Sequence, residues 1–306
     1  MSRWGIVVGA QSYKSRKRWA QMQTYLDARG VTYDSVQSDV AGSVERLTRM
    51  LCIQGYKTVV LVGGDGVLND ALNGIMAAEP LSDDFAFGVI PCGISNDFAS
   101  FWDITADDYQ QAIDNIIERR TRLIDVGQCD YSNTEGQYFT RYFLNCVNIG
   151  LGAKLVELTN RWHRLIGSKR LSLLPVFIGN IFQRKSFQVT MRTDSETLTQ
   201  EMMSICIGNT TGFGQTPNAV PYNGLLDMSI ITRPTVWQLL RGFWLLGKGQ
   251  FLNYRNVHPS RIRYIDMLDL GRASISLDGR LLSDQPITPV HITVRPDAIR
   301  FIISKD

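Results

Sequence analysis

Scarcity narrows the possibilities for this chain before any motif is read. Histidine is rare, three in 306 residues, and His163, His258 and His291 are too scattered to assemble a zinc site. The five cysteines (Cys52, Cys92, Cys129, Cys146 and Cys206) form no CxxC and no paired spacing. They read as reduced thiols of a cytosolic protein rather than a disulfide framework. Long apolar runs are missing. The longest, residues 171–182, is interrupted by Pro175, Gly179 and Asn180 and falls short of the roughly 20 residues of a spanning helix. The start, MSRWGIVVGA, runs straight into a strand-like GIVVG, so no secretory signal is expected. Two common phosphate-binding fingerprints, G-x-x-x-x-G-K-[ST] and G-x-G-x-x-G, are absent as well. What remains is ordinary for a globular enzyme: 44% hydrophobic and 20% charged residues, with length for two domains. A net charge of +3 suits anionic nucleotides or an anionic membrane surface, and no nucleic acid is expected as a partner.

About the first 125 residues alternate between short apolar strands and helices. Ile6, Val7 and Val8 form a strand, residues 14–18 (KSRKR) open a helix ending near Gly30, and residues 31–36 form a second strand. Val44, Leu47, Met50 and Leu51 fall at helical spacing. The run 58–62 is a buried strand that stops at Gly63-Gly64, followed by a helix at 68–78 and a strand at 85–90. Such alternation implies a parallel, doubly wound sheet whose ligands sit beyond the carboxyl ends of the strands. From Gln128 onward, residues 141–149, 187–191, 202–207, 226–231, 273–277 and 291–294 read as strands between turns. Helical insertions fall at 151–183 and 235–250. The expected architecture is therefore α/β plus β. An N-terminal doubly wound nucleotide-binding domain covers 1–127, and a mainly antiparallel β-sandwich with helical insertions covers 128–306. A return of the last strand to the first domain is left open.

Two segments carry chemistry. GGDGVLND at 63–70 follows an apolar strand, and its glycines let main-chain N–H groups approach a polyphosphate at a helix N-terminus. Asp65, an anion itself, suits Mg²⁺ or nucleotide hydroxyls. By itself the motif fits equally well a tight strand-to-helix turn in which Asp65 is a cap. PCGISNDFAS at 91–100 tips the balance, because it follows the next strand and again offers glycine, amides and a carboxylate. Two such loops at adjacent strand ends can surround one ligand.

Together these segments resemble the diacylglycerol kinase catalytic domain, shared by bacterial diacylglycerol kinases and by sphingosine and ceramide kinases. The family pattern GGDGTxNE, PxGTxNDFA, iDxG and DGE is met here by residues 63–70, 91–99, 124–127 (IDVG) and 277–280 (LDGR). Residues 142–150 look like the family's fxNxxxiG strand, and 208–228 like its glycine-rich stretch ending in DGxLD. The resemblance implies an ATP-dependent lipid kinase using Mg²⁺, with diacylglycerol as first acceptor and a long-chain base or ceramide as second. A soluble-substrate kinase of the NAD kinase or phosphofructokinase type is disfavoured by the NDFA motif, Asp278-Gly279 and the long β domain. By the same carry-over, Gly63, Gly64 and Gly66, with Gly93 in the second loop, would cradle the ATP phosphates. Asn69 and Asn96 would hold loops and nucleotide in register, and Ser38 stands where a nucleotide-contacting threonine is frequent. Asp65, Asp97 and Asp125 would organise Mg²⁺, and Asp278 would be the general base toward the lipid hydroxyl. Without the family, Asp278-Gly279 reads as a hairpin turn.

Several positions depart from the family. Val67 and Ile94 replace both motif threonines, Gly9-Ala10 replaces Asn-Pro, and Arg280 replaces the glutamate of DGE. Asn223 replaces an aspartate linked in some bacterial members to a structural Mg²⁺. It keeps an oxygen ligand and loses its charge, so that ion should be held weakly or not at all. These changes leave a second reading, a catalytically weak or inactive lipid- or nucleotide-binding homologue. Because Asp65, Asp97, Asp125 and Asp278 all remain, activity is the expectation. Residues 162–183 combine tryptophan, leucine and phenylalanine with flanking cations and suit contact with anionic lipid, and 235–254, with Trp237, Phe243 and Trp244, is a second candidate wall. The expected location is cytoplasmic with peripheral membrane contact, and a homodimer is left open.

Overall fold

Runs such as TVVLVG, apolar at every position, are stable as strands only when both faces are covered. The computed structural model describes residues 3–9, 13–38, 42–93, 95–133, 135–153, 186–194, 196–211, 215–232, 235, 237–238, 241, 244–245, 252, 256–283 and 288–305. The chain divides into one unit of Met1–Ile124 with Asp297–Asp306 and another of Asp125–Pro296.

In the first unit the order is β1 (Trp4–Val8), α1 (Tyr13–Ala28), β2 (Tyr33–Gln37), α2 (Ser43–Ile53), β3 (Thr58–Gly63), α3 (Asp65–Met76), β4 (Ala86–Pro91), α4 (Asp97–Phe101) and α5 (Tyr109–Glu118). The strands are parallel in the order β4-β3-β1-β2, with Trp4 beside both Tyr33 and Thr58, and Thr58 beside Ala86. Every residue of β1, β3 and β4 is buried, whereas the edge strand β2 is partly open. Val44, Thr48 and Leu51 form the buried stripe of α2 at i, i+4 and i+7. The helix expected at 68–78 begins three residues earlier, at Asp65, so the second half of GGDG is its first turn.

The second unit is built from β5 (Thr121–Ser132), β6 (Tyr138–Phe143), β7 (Cys146–Gly150), β8 (Phe187–Thr193), β9 (Thr197–Gly208), β10 (Leu226–Thr232), β11 (Val257–Ile262), β12 (Tyr264–Asp269), β13 (Ile275–Leu277), β14 (Arg280–Ser283) and β15 (Val290–Ile302). The strands pair antiparallel in the order β14-β13-β7-β9-β8-β12-β15, with β10 and β11 continuing from β9 and β6 pairing with β5. β9 is long enough to be shared. Its first half pairs with β8, and residues 204–208 pair with β7 and β10. Val147, Ile149, Ile205, Ile207, Leu226 and Met228 are among the residues that fill the core between these strands.

The unit boundaries fall inside β5 and β15, at 124/125 and 296/297, where the sequence reading set one boundary at 127/128. The end of β15 lies parallel to β4, with Phe301 opposite Phe87. The single strand expected at 141–149 is two strands, because residues 144 and 145 leave the ladder.

Candidate functional site

In the first unit the two glycine loops touch through their backbones. A Cβ on Gly64 would lie 2.6 Å from the Ser95 carbonyl oxygen and 2.7 Å from the Gly93 Cα, and one on Gly93 would lie 2.3 Å from the Gly64 Cα. No side chain fits at either position, so this approach requires glycine on both loops. Hydrogen bonds complete the contact. The Asp65 N–H donates to the Ser95 carbonyl at 2.9 Å, and the Cys92 N–H to the Gly63 carbonyl at 2.9 Å. The Asp65 carboxylate accepts from the N–H groups of Asp97 at 2.9 Å and Phe98 at 3.2 Å. Asp65 is therefore a cap, but of α4 in the other loop; its own helix α3 is capped by Gly64 without a side-chain bond. Asn96 closes the second loop on itself, accepting from the Gly93 N–H at 3.1 Å and donating to the Gly93 carbonyl at 2.8 Å.

Around this contact, Asn69 is buried on α3 and Ser38 is buried at the end of β2. The Ser38 hydroxyl lies 2.6 Å from that of Ser43 at the start of α2. Val67 packs against Gly63 and Gly9, filling the space a side chain at position 9 would need: a Cβ there would meet a Val67 methyl at 2.4 Å. The substitutions at 9 and 67 are thus one packing change. Ile94 and Ala10 lie outside the described residues.

Burial raises the pKa of Asp65, the nearby charge of Asp97 raises it further, and the amides of Asp97 and Phe98 and the Ser95 hydroxyl oppose both. A buried carboxylate whose ionisation is opposed by a neighbouring carboxylate's charge fits a site that receives a cation. The Asp65 oxygens are engaged by amides, and one Asp97 oxygen accepts from the Ser95 hydroxyl at 2.7 Å. Among the described residues no cluster of three or more His, Cys, Asp or Glu side chains could hold a metal by itself. A Mg²⁺ here fits as an ion that arrives with phosphate oxygens as its other ligands.

In the second unit, Asp278 sits at the two-residue turn between β13 and β14, with positive φ at Asp278 (44°) and Gly279 (83°) as such a hairpin turn demands. Its carboxylate is 3% exposed. It accepts the N–H groups of Leu144 (2.8 Å), Asn145 (2.9 Å) and Cys146 (2.9 Å), and the donation of these amides breaks 141–149 into β6 and β7. Asn209 links this turn to Asp125. Its amide donates to the main-chain carbonyls of Asp125 at 2.9 Å and Leu144 at 3.1 Å, while its own Oδ1 is buried without a protein donor. The Asp125 carboxylate accepts from the Gly224 N–H at 2.7 Å. Asn145 and Asn209 are the residues that the sequence reading did not single out. Their signal was available as buried-strand asparagines beside Cys146 and Gly208.

Asn223 is engaged within its own turn. Its side-chain oxygen accepts from the Leu225 N–H at 3.0 Å, closing its own turn. Asp227, four residues on, is already neutralised by Arg261 at 2.8 Å on the adjacent strand β11. Arg280, at the start of β14, is exposed. The candidate membrane segment 162–183 lies outside the described residues, as do parts of 235–254.

Comparison with known proteins follows this division. The family described as the diacylglycerol kinase catalytic domain matches residues 6–129, and the YegS C-terminal NAD kinase beta sandwich-like domain matches residues 145–303. A diacylglycerol kinase of Bacillus subtilis is 24% identical over 277 residues, 86% of this chain and 84% of that protein. The fold is similar to that of a diacylglycerol kinase crystal structure from Bacillus anthracis str. Sterne, with TM-score 0.69, 14% identity and coverage of 99% and 97% of the two chains. It is also similar to yeast NADH kinase solved with NADH, with TM-score 0.58, 10% identity and coverage of 100% and 84%.

Proposed function

Because the chain belongs to the diacylglycerol kinase family and is a lipid kinase, we propose that it transfers the γ-phosphate of ATP to a lipid hydroxyl, diacylglycerol first. The observation that carries this reading is the backbone contact of Gly64 with Gly93, which joins two amide-rich loops at the ends of β3 and β4. Gly63, Gly64, Gly66 and Gly93 bring main-chain N–H groups to the phosphates, as phosphoryl transfer requires for positioning and charge. Asn96 and Asn69 hold the loops, and Ser38 contacts the nucleotide from β2. Asp97, with Asp65 and Asp125, would hold Mg²⁺, which when bound offsets phosphate charge.

Asp278 receives the proton of the lipid hydroxyl. As that O–H bond breaks, oxygen forms the new bond to the γ-phosphorus and the bond to ADP opens. Three main-chain amides fix the orientation of the Asp278 carboxylate, and a carboxylate has about four lone-pair sites. The same geometry supports a second reading, a nucleotide- or lipid-binding homologue of low activity in which Asp278 anchors residues 144–146. Among the described residues no helix is long and apolar enough to cross a membrane; the proposed location is cytoplasmic, in peripheral contact with anionic lipid.

The test is purified protein with labelled ATP, Mg²⁺ and detergent-dispersed diacylglycerol, ceramide and sphingosine. Labelled phosphatidic acid above the other products is expected. Tight nucleotide binding with no labelled lipid from any acceptor would establish the second reading instead.

A further inference from the structure

Between Asp227 and Asp266 the sequence contains no acidic residue, whereas Arg233, Arg241, Lys248, Arg255, Arg261 and Arg263 all fall there. Six cations in 38 residues, against +3 for the whole chain, leave the remainder of the protein at −3. Residues 228–265 are thus one of the acid-free basic stretches of this chain, and they carry Trp237, the most exposed aromatic residue among the large apolar residues described.

Trp237 is 81% exposed and Trp244 57% exposed. The described residues 237, 238, 241, 244 and 245 are helical. Positions 237, 241 and 244 stand at i, i+4 and i+7, within about 60° of one another around a helix. Arg241, between the two indoles, is exposed as well. Leu245 is the buried counterpart, 7% exposed and packed with Val257, Ile231 and Leu252. It fixes the segment to the strands β10 and β11 while the Trp–Arg–Trp stripe faces outward. The other exposed large apolar residues, Met50 and Ile53 on α2, Tyr138 and Phe139 on β6, and Leu123, Tyr222 and Leu268 singly, have no exposed cation described between two indoles.

Exposed indoles are costly in water and favourable at a bilayer headgroup boundary, where the ring is buried and the N–H stays wet. A cation between them pairs with lipid phosphate. We propose that Trp237, Arg241 and Trp244 are the surface by which this enzyme lies on an anionic bilayer. The proposal rests on the lipid-kinase reading, since the acceptor resides in that bilayer. Charge selects the occupant: Arg241 is exposed within the stripe, and residues 228–265 contain no acidic side chain to answer it in a second copy of the same face.

Co-sedimentation of the full-length protein with phosphatidylcholine vesicles, with and without phosphatidylglycerol, tests the idea. The wild type should bind the anionic vesicles, and vesicles brominated near the headgroup should quench its tryptophan emission. Trp237→Ala with Trp244→Ala should weaken that binding by about tenfold or more. Arg241→Glu should weaken it by about 30-fold on anionic vesicles and little on neutral ones. Both variants should keep the wild-type melting temperature, since the three side chains are exposed, and should still phosphorylate a short-chain diacylglycerol dispersed in detergent. Equal vesicle binding by wild type and the double tryptophan variant would overturn the proposal, as would absence of wild-type binding. So would a double variant whose only change is loss of self-association in sedimentation velocity. Failure of the kinase reading is distinguishable, because it appears as no product from the detergent-dispersed substrate whatever the vesicles show.

Discussion

Asp278 collects three main-chain N–H groups, so Asp278→Asn is more than the removal of a base. The new amide must face at least one of those donors, and a buried donor without an acceptor costs about 1–3 kcal/mol. A drop in stability of that size is expected by urea denaturation, together with loss of lipid phosphorylation. Unchanged stability would remove the anchoring role, and undiminished turnover would remove the catalytic one. Val67 offers the reverse experiment. Val67→Thr is close in volume and restores a hydroxyl beside the Gly63-Gly64 turn, and a hydrogen bond to a charged phosphate is worth about 1.5–3 kcal/mol. ATP binding measured calorimetrically should tighten by about tenfold or more. The motif residues were legible in sequence because two loops of glycine and aspartate follow adjacent strands, although either loop alone fits a plain turn. Which helix Asp65 caps was not legible, since that partner lies 32 residues away.

At the scale of elements, two aspartates form ion pairs that bind neighbouring strands together. Arg261 on β11 neutralises Asp227 on β10, so the turn at 223–227 should need no divalent cation. EDTA is expected to leave the melting temperature of the nucleotide-free protein unchanged. Arg261→Ala should lower stability by up to about 1 kcal/mol, and a fall in the wild-type melting temperature with EDTA would contradict the assignment. Asp266 on β12 joins Arg192 on β8 at 2.6 Å and His291 on β15 at 2.5 Å. Burial raises its pKa, but the hydrogen bonds and charges of His291 and Arg192 outweigh that and hold it below the usual carboxylate value. A lowered folded-state pKa favours the native protein above the unfolded value near pH 4, and that contribution fades as pH falls through the folded value. Asp266→Asn should therefore flatten the acid limb of a stability-versus-pH curve and lower stability at pH 7. Periodicity announced most of these strands, but not the break at residues 144–145. An apolar run cannot reveal that its amides turn toward a carboxylate more than 130 residues later.

For the whole molecule, the last ten residues belong with the first unit although the chain reaches them through the second. Phe301 is fully buried and packs edge-on against Phe87 and Phe98, with Trp102 beside it. Phe301→Ala should cost about 3–5 kcal/mol, and the loss should fall on the unit that carries the glycine loops. ATP binding should then disappear at a lower temperature than in the wild type, while a mutation of similar cost in the β-sandwich core, such as Ile205→Ala, should spare it at moderate temperature. Equal effects on nucleotide binding from both would contradict the division.

The amino-acid sequence by itself determined the two glycine loops, the α/β-then-β order and the family, because each rests on local patterns: period, turn chemistry and residue type at strand ends. Tertiary structure alone decided that the loops lock through Gly64 and Gly93, that Asp65 caps the neighbouring loop's helix, that Asp278 anchors residues 144–146, and that Arg261 pairs with Asp227. Each of these is a contact between residues far apart in the chain. Such contacts depend on which backbone donors and charges the packed strands bring within about 3 Å, a distance that no local pattern records.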